Sequence, residues 1–253
     1  MKVIRYDEID STNLCAKRTG NEGVSSDTLF IADKQTAGTG RRGRSWESPA
    51  GDNIYMSLLL KPDLNPAKAP MLTLVMALAV VAGLQKVLDN QSISQDFQIK
   101  WPNDIVLNKK KVCGILTEMA LEGTGIKYVV IGVGINVNQM QFLEELNGKA
   151  TSLAKELSKE FDRDVIIDKV VESFYYYYEK FLATEDLSAL KEIYNQMLVN
   201  QDKEVVIHEP GNEYHARAIG INEQGELIVE TVDGRQQNIY AGEVSVRGIY
   251  GYV

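Results

Sequence analysis

The sequence predicts an α/β (α+β) fold that ends in a small antiparallel β-barrel. Three observations carry this expectation. Apolar, partly β-branched runs at about 28–33, 54–61, 97–107, 112–120 and 127–137 read as strands. Helical stretches alternate with them, including an uncharged run from Ala69 to Gln85. Near Asn200 the texture changes to short strands separated by turns, with Asp233-Gly234 as a strong hairpin signal. That change divides the chain into units of residues 1–199 and 200–253.

Taken in order, "STNLCAKRTG" from Ser11 reads as a helix with a hydroxyl N-cap, ending at Gly20. The strand at 28–33 leads into "GTGRRGRSW" (38–46) and a turn cluster, "ESPAGDN", before the strand at 54–61. The run 69–85 has 17 uncharged residues, short of the roughly 20 that span a bilayer, and reads as a core helix. Pro102 interrupts the strand region 97–107. "VVIGVGINVN" (129–138) reads as a buried strand broken by Gly132 and Gly134. Helices are expected at about 151–160, 166–183 and 186–198. The tyrosine run 175–178 falls on the second as surface and core, not as a stacking platform. "KEVVIH", "EYHARAIGI", "ELIVETV", "RQQNIY" and "VSVRGI" supply the strands of the barrel.

Composition narrows the chemistry. A chain of 253 residues with net charge −8 is a poor partner for nucleic acid or acidic membranes. The barrel region alone holds nine acidic residues against four Lys and Arg. Two cysteines, Cys15 and Cys113, have no metal-ligand spacing, and no signal peptide is evident, so a reducing cytoplasmic setting is expected. With two histidines, His208 and His215, a histidine triad or histidine zinc site is a poor fit.

Gly38-x-Gly40-x-x-Gly43 has the spacing of a dinucleotide fingerprint, but such a motif must open a helix, and a strand follows here. A kinase glycine loop would fit a hairpin, yet the H-R-D and D-F-G elements are missing. The only Gly-Lys pair, Gly148-Lys149, is followed by Ala150, which excludes a Walker loop. What is specific is the set of Arg41, Arg42 and Arg44 among flexible glycines, with Trp46 beside them. Arginine forks suit carboxylate or phosphate oxygens, and glycine lets backbone approach a ligand. A solvated basic hairpin tip would look the same. In "KWPNDIVLNKKKVCGIL" (100–116), Lys109 and Lys110 read as a solvated tip, whereas Lys111 opens an apolar strand and can point inward.

Together, "DSTN" (10–13), "GTGRRGRSW" (38–46), "KWPND" (100–104), "KVCGIL" (111–116) and "GVGINVN" (132–138) resemble the biotin protein ligase family, in its order and at comparable spacing. The resemblance implies a mixed-sheet biotin/lipoate ligase-like catalytic domain followed by the small barrel. It implies that biotin and ATP, with Mg²⁺ expected, give biotinyl-adenylate and pyrophosphate. A lysine of a biotin carboxyl carrier protein or domain of a carboxylase then takes the biotinyl group. By the same analogy Lys111 and Arg41 contact the reacting carboxylate and phosphoryl oxygens. Ser11, Thr12, Asn13, Gln35, Gly38, Thr39, Gly40, Arg41, Lys111 and Gly114 would bind biotin. Arg41, Arg44, Trp46, Lys100, Asn103 and Asn136 would bind ATP. Thr39 stands where the family's loop usually has an arginine. "DSTN" begins at residue 10, which leaves no room for the N-terminal DNA-binding domain of some members, so a monofunctional ligase is expected. Homodimers of paired sheet edges are possible. A lipoate or octanoate ligase would share fold and chemistry, and a non-catalytic sensor would share the pocket; "GRRGRSW" and "KWPND" favour biotin, and Arg41 with Lys111 favours turnover.

Overall fold

The computed structural model describes residues 1–23, 26–209, 211–241 and 245–248. Its first strand, β1 (Lys2–Ile9), escapes the sequence reading, because an edge strand alternating with charged residues presents little apolar signal. Helix α1 (Thr12–Glu22) crosses over from β1 to β2 (Thr28–Gln35), so these two strands are parallel. After the arginine loop come β3 (Ile54–Leu60) and α2 (Leu72–Asp89), with a 3₁₀ turn at Pro66–Met71 leading into that helix. Strands β4 (Phe97–Lys100), β5 (Asp104–Leu107), β6 (Lys110–Glu122) and β7 (Gly125–Ile135) form an antiparallel meander. The seven strands make one mixed sheet in the order β1-β2-β3-β7-β6-β5-β4.

Two layers cover this sheet. On one face α2 packs against α4 (Arg163–Thr184) and closes the main core, which includes Met56, Leu58, Ile131 and Val133. On the other face α1 covers β2, β3 and β7, burying Cys15, Ala16, Phe30, Leu59 and Tyr128 in a smaller cluster. The apolar stretch Pro66–Asp89 is long enough to cross a membrane, but it lies largely buried inside the protein. Tyr177 and Tyr178 join the core while Tyr176 is exposed, as expected for a helix carrying four consecutive tyrosines.

Three local expectations change. Ser11 is the N-cap residue of α1 by position, but its side chain makes no capping bond; the first helical N–H, on Thr12, donates instead to Gln35 Oε1 at 2.9 Å. The helix also runs through Gly20 to Glu22, because Gly20 lies against the Tyr128 ring, where a Cβ would come within 2.5 Å. Gly132 and Gly134 do not break β7; the strand passes straight through both. The helices expected at 151–160 and 186–198 shorten to α3 (Leu153–Leu157) and α5 (Lys191–Met197).

The C-terminal strands are β8 (Lys203–Glu209), β9 (Asn212–Ile221), β10 (Leu227–Thr231), β11 (Gln236–Ile239) and β12 (Ser245–Gly248). They form an antiparallel sheet in the order β11-β10-β9-β8-β12. The expected barrel is therefore open: among the described residues no ladder joins β11 to β12. Val244 and Ile249, the ends of the last expected strand, lie outside the described residues. The buried Trp101 indole donates to the Gly225 carbonyl at 3.0 Å and ties this sheet to the β4–β5 turn.

Gly83 marks the closest approach of α2 to α4: a Cβ there would come within 2.7 Å of the Val170 backbone. In an open helix Gly→Ala gains roughly 1 kcal/mol from propensity. Here overpacking against a backbone overrides it, and Gly83→Ala should lower the unfolding free energy by about 1–3 kcal/mol. Urea unfolding of the two proteins checks the sign.

Candidate active site

Strand alternation fixes where a cleft can open. On β6 and β7 the side chains of Ile115, Ile131, Val133 and Ile135 point into the main core. Their alternates face α1, and three of those alternates are Gly114, Gly132 and Gly134. Gly114 pairs with Gly134, Gly134 with Tyr55, and Gly132 with Ser57 across neighbouring strands. The floor facing α1 thus lacks side chains where three central strands meet. A Cβ on Gly132 would collide with the Asn13 amide, and one on Gly134 or Gly114 would meet the Trp46 ring at 2.8–2.9 Å.

The cleft over this floor encloses about 470 Å³, open solvent at its mouth included. Its walls bring together Ser11, Thr12, Asn13, Gln35, Arg41 and Lys111, as the sequence reading expects. Thr39, Gly40, Trp46, Asn103 and Gly114 line it as well. The reading missed Tyr55, Met56, Ile115, Leu116 and Val133, which contribute wall without any motif.

One end of the cleft is a buried polar network. Gln35 Oε1 accepts from the Thr12 N–H and from its hydroxyl at 2.9 and 3.1 Å. The Ser57 hydroxyl, wholly buried, lies 2.7 Å from Thr12 Oγ1 and donates to Asn13 Oδ1 at 2.6 Å. Asn13 donates in turn to Glu118 at 3.0 Å, and Lys17 holds the other oxygen of that carboxylate at 2.9 Å. Gln35 Nε2 reaches Ser48 Oγ, which donates to the Trp46 carbonyl. The network therefore couples the start of α1 to the arginine loop. It offers both donors and acceptors at fixed positions.

The other end is cationic. The loop folds back as a small hairpin: Thr39 bridges Ser45, and Gly40 N–H donates to the Arg44 carbonyl at 2.7 Å. Its turn uses positive φ at Arg42 and Gly43, which a glycine accepts without strain. Arg41 donates to Asn103 Oδ1 at 3.0 Å and to the Ala241 carbonyl at 2.8 Å, linking loop, β4–β5 turn and C-terminal sheet. Burial pushes the Arg41 guanidinium pKa down; Asp104 opposes this, while Arg42 and Arg44 reinforce it. An arginine keeps its charge in such surroundings. Lys111 Nζ lies 2.6 Å from Asp104 Oδ1 and 5.0 Å from the centre of the Trp46 ring, so both an ion pair and a cation–π contact aim it at the cleft. Trp46 Nε1 is buried against Gly134, and among the described residues it has no hydrogen-bond partner.

Four expected residues are placed otherwise. Arg44 is exposed on the loop, outside the cleft lining. Lys100 is buried on β4 opposite Asp104 in the ladder. Asn136 is buried below the cleft and donates to the Thr151 carbonyl at 3.0 Å. Gly38 shapes the loop from behind, since a Cβ there would collide with the Trp46 carbonyl. Lys110 is not merely a solvated tip: it pairs with Glu156 at 3.0 Å.

Comparison with known proteins agrees with this geometry. Residues 6–136 match the profile of the Biotin/lipoate A/B protein ligase family, and residues 202–247 match that of the Biotin protein ligase C terminal domain. The bifunctional ligase/repressor BirA of Bacillus subtilis (strain 168) is 36% identical over 246 residues, 96% of this chain and 74% of that protein. The biotin–[acetyl-CoA-carboxylase] ligase of Paracoccus denitrificans is 33% identical, covering 94% of this chain and 98% of its own. The biotin protein ligase from Aquifex aeolicus, solved in complex with biotin and ATP, superposes with a TM-score of 0.81 at 32% identity, covering 98% of this chain and 99% of that one. The chain belongs to the Biotin/lipoate A/B protein ligase family. The C-terminal profile match and these relatives put it on the biotin protein ligase side of that family.

Removing the Ser57 hydroxyl would take away the donor that Asn13 Oδ1 has here. Ser57→Ala should lower stability by about 1–3 kcal/mol, more than a surface Ser→Ala control, as read by thermal unfolding.

Proposed function

We propose that this chain activates biotin with ATP and transfers the biotinyl group to a lysine of an acceptor protein. The observation that carries this reading is the cleft itself: a polar donor–acceptor pocket at one end and Arg41 with Lys111 at the other. Biotin's ureido ring offers donors and acceptors that match Ser11, Thr12, Asn13 and Gln35 at the first end. Its carboxylate then lies at the cationic end, beside Arg41 and Lys111.

The first step joins two anions. A carboxylate oxygen attacks the α-phosphorus of ATP, the bond to the β-phosphate oxygen breaks, and pyrophosphate leaves. Two unit charges ~4 Å apart repel by roughly 4 kcal/mol at an effective dielectric near 20. Lys111 and Arg41 offset that repulsion and stabilise charge growing on the phosphoryl oxygens. Asp104 holds Lys111 in place before the substrates do. Mg²⁺ would accompany ATP and neutralise charge on its phosphates. In the second step the acceptor amine attacks the mixed-anhydride carbonyl, AMP leaves, and the amine gives up its proton. No enzyme nucleophile is needed. Trp46 and the arginine loop keep water from the anhydride.

The acceptor in this reading is a biotin carboxyl carrier protein or domain of a carboxylase; the name of the Paracoccus relative gives acetyl-CoA-carboxylase as that enzyme's acceptor. A groove adjoining the cleft shares Arg41, Asn103, Ile115 and Leu116 with it and supplies the acceptor's approach. Asn136 serves the nucleotide end indirectly, through the backbone of Thr151. Residues 1–199 form the catalytic unit and residues 200–253 brace it through Ala241 and Gly225. Self-association through a sheet edge and a cytoplasmic setting complete the reading.

Lys111→Ala should reduce biotin-dependent ATP–pyrophosphate exchange by at least about 1,000-fold, as expected for removing a group that stabilises developing charge, while the melting temperature stays near that of the wild type. Exchange at the wild-type rate in this variant would remove Lys111 from the mechanism.

A further inference from the structure

The Lys111 ammonium is useful only if its backbone is held still, and the structure shows how. Lys111 is the second residue of β6, one step beyond a two-residue turn in which Asn108 and Lys109 both have positive φ. Asparagine accepts this left-handed region readily, whereas lysine does so less often, and both residues are exposed. The backbone of this hairpin is caught on the far side by residues 149–151: Lys111 N–H donates to the Lys149 carbonyl at 2.8 Å, and Thr151 N–H donates to the Lys111 carbonyl at 2.9 Å. Both partners of this grip converge on one carboxylate. Glu156 on α3 accepts from Asn108 Nδ2 at 2.6 Å, from Lys110 Nζ at 3.0 Å and from Thr151 Oγ1 at 2.6 Å.

We infer that Glu156 is the positioning residue for Lys111, a clamp that fixes the β5–β6 turn and the 149–151 segment against each other so that the lysine is delivered to the cleft. The carboxylate is only 11% exposed, so its three donors act in a partly desolvated setting where charge-assisted bonds are strong. Burial would raise its pKa, but the bonds from Asn108, Thr151 and Lys110 outweigh burial and hold it below the ordinary value. It is therefore ionised throughout the neutral range. Lys109, exposed at the tip, is not part of the clamp.

The positional claim stands on geometry alone; its catalytic consequence rests on the ligase reading above. Two readouts keep them apart. The first needs no turnover: acylation of lysines in the free protein by an N-hydroxysuccinimide ester, followed by mass spectrometry. In Glu156→Ala, Lys111 should be labelled roughly 5-fold faster through local opening. Lys86 and Lys169, on the α2–α4 surface, should keep their wild-type rates. The second is biotin-dependent pyrophosphate exchange. There kcat should fall at least about 10-fold, since small misplacements at a reacting centre are costly. The KM for biotin should stay within about 2-fold, because the Ser57 network is untouched. Glu156→Gln keeps an oxygen for Thr151 and should restore most of both effects. Thr151→Val, a milder change, should move Lys111 labelling in the same direction even if Glu156→Ala folds poorly. Unchanged Lys111 labelling in these variants would overturn the clamp, as would labelling that rises equally at Lys86 and Lys169. A wild type that labels as expected but shows no exchange would sink the ligase reading and leave the clamp standing.

Discussion

Three missing side chains decide what this protein can hold. Gly114, Gly132 and Gly134 occupy alternate positions on one face of adjacent strands, where any Cβ would strike Asn13 or Trp46. Because the opposite face of the same strands is packed with Ile115, Ile131 and Val133, the sheet itself cannot move away to make room. Asn13 and Trp46 therefore sit where they do, at the edges of the cleft, only as long as these positions stay glycine. Everything else in the site is arranged around that floor: α1 as one wall, the arginine loop as roof, and the β4–β5 turn and β5–β6 hairpin as the cationic end.

Polar groups are placed by two different physical means. At the ureido end, placement comes from burial: Ser57, Thr12, Asn13 and Gln35 can satisfy one another in few ways without water, so their directions are fixed before a ligand arrives. At the reacting end, placement comes from charge. Arg41 is tied to Asn103 and Ala241, and Lys111 to Asp104, so neither cation needs to search for its position. A pocket organised in this way spends little entropy on ordering when the two substrates meet. The C-terminal sheet takes part directly, since the Ala241 carbonyl accepts from Arg41.

The parts of this site legible in the sequence were those with local chemistry. Arginines among glycines, the lysine that opens an apolar strand, and the serine–threonine–asparagine run at a helix start each carry meaning within a few residues. The floor was harder to see. Gly132 and Gly134 read as strand breaks, although their spacing of two, with apolar residues between, is the signature of one strand face left bare. Ser57 carries no signal at all, because a serine in "IYMSLLL" looks like an interruption of a core strand until α1 is laid over it. Asn136 and Lys100 sit inside recognisable motifs yet are buried away from the cleft lining, since a motif does not say which way a side chain points. The open C-terminal sheet was read as closed because strand count and turns do not reveal whether the last strand meets the first. The edge strand β1 was missed for want of a continuous apolar run.

The dependence of the whole site on its bare floor is open to a direct measurement: isothermal calorimetry of biotin binding to Gly134→Ala, beside a melting curve of the same protein. Adding one methyl group should push Trp46 off the strands and weaken biotin binding by at least about 10-fold, roughly 1.4 kcal/mol, with little change in melting temperature. Wild-type affinity in a normally folded Gly134→Ala protein would mean that the seating of Trp46 on these glycines does not shape the ligand site, and the site described here would be wrong.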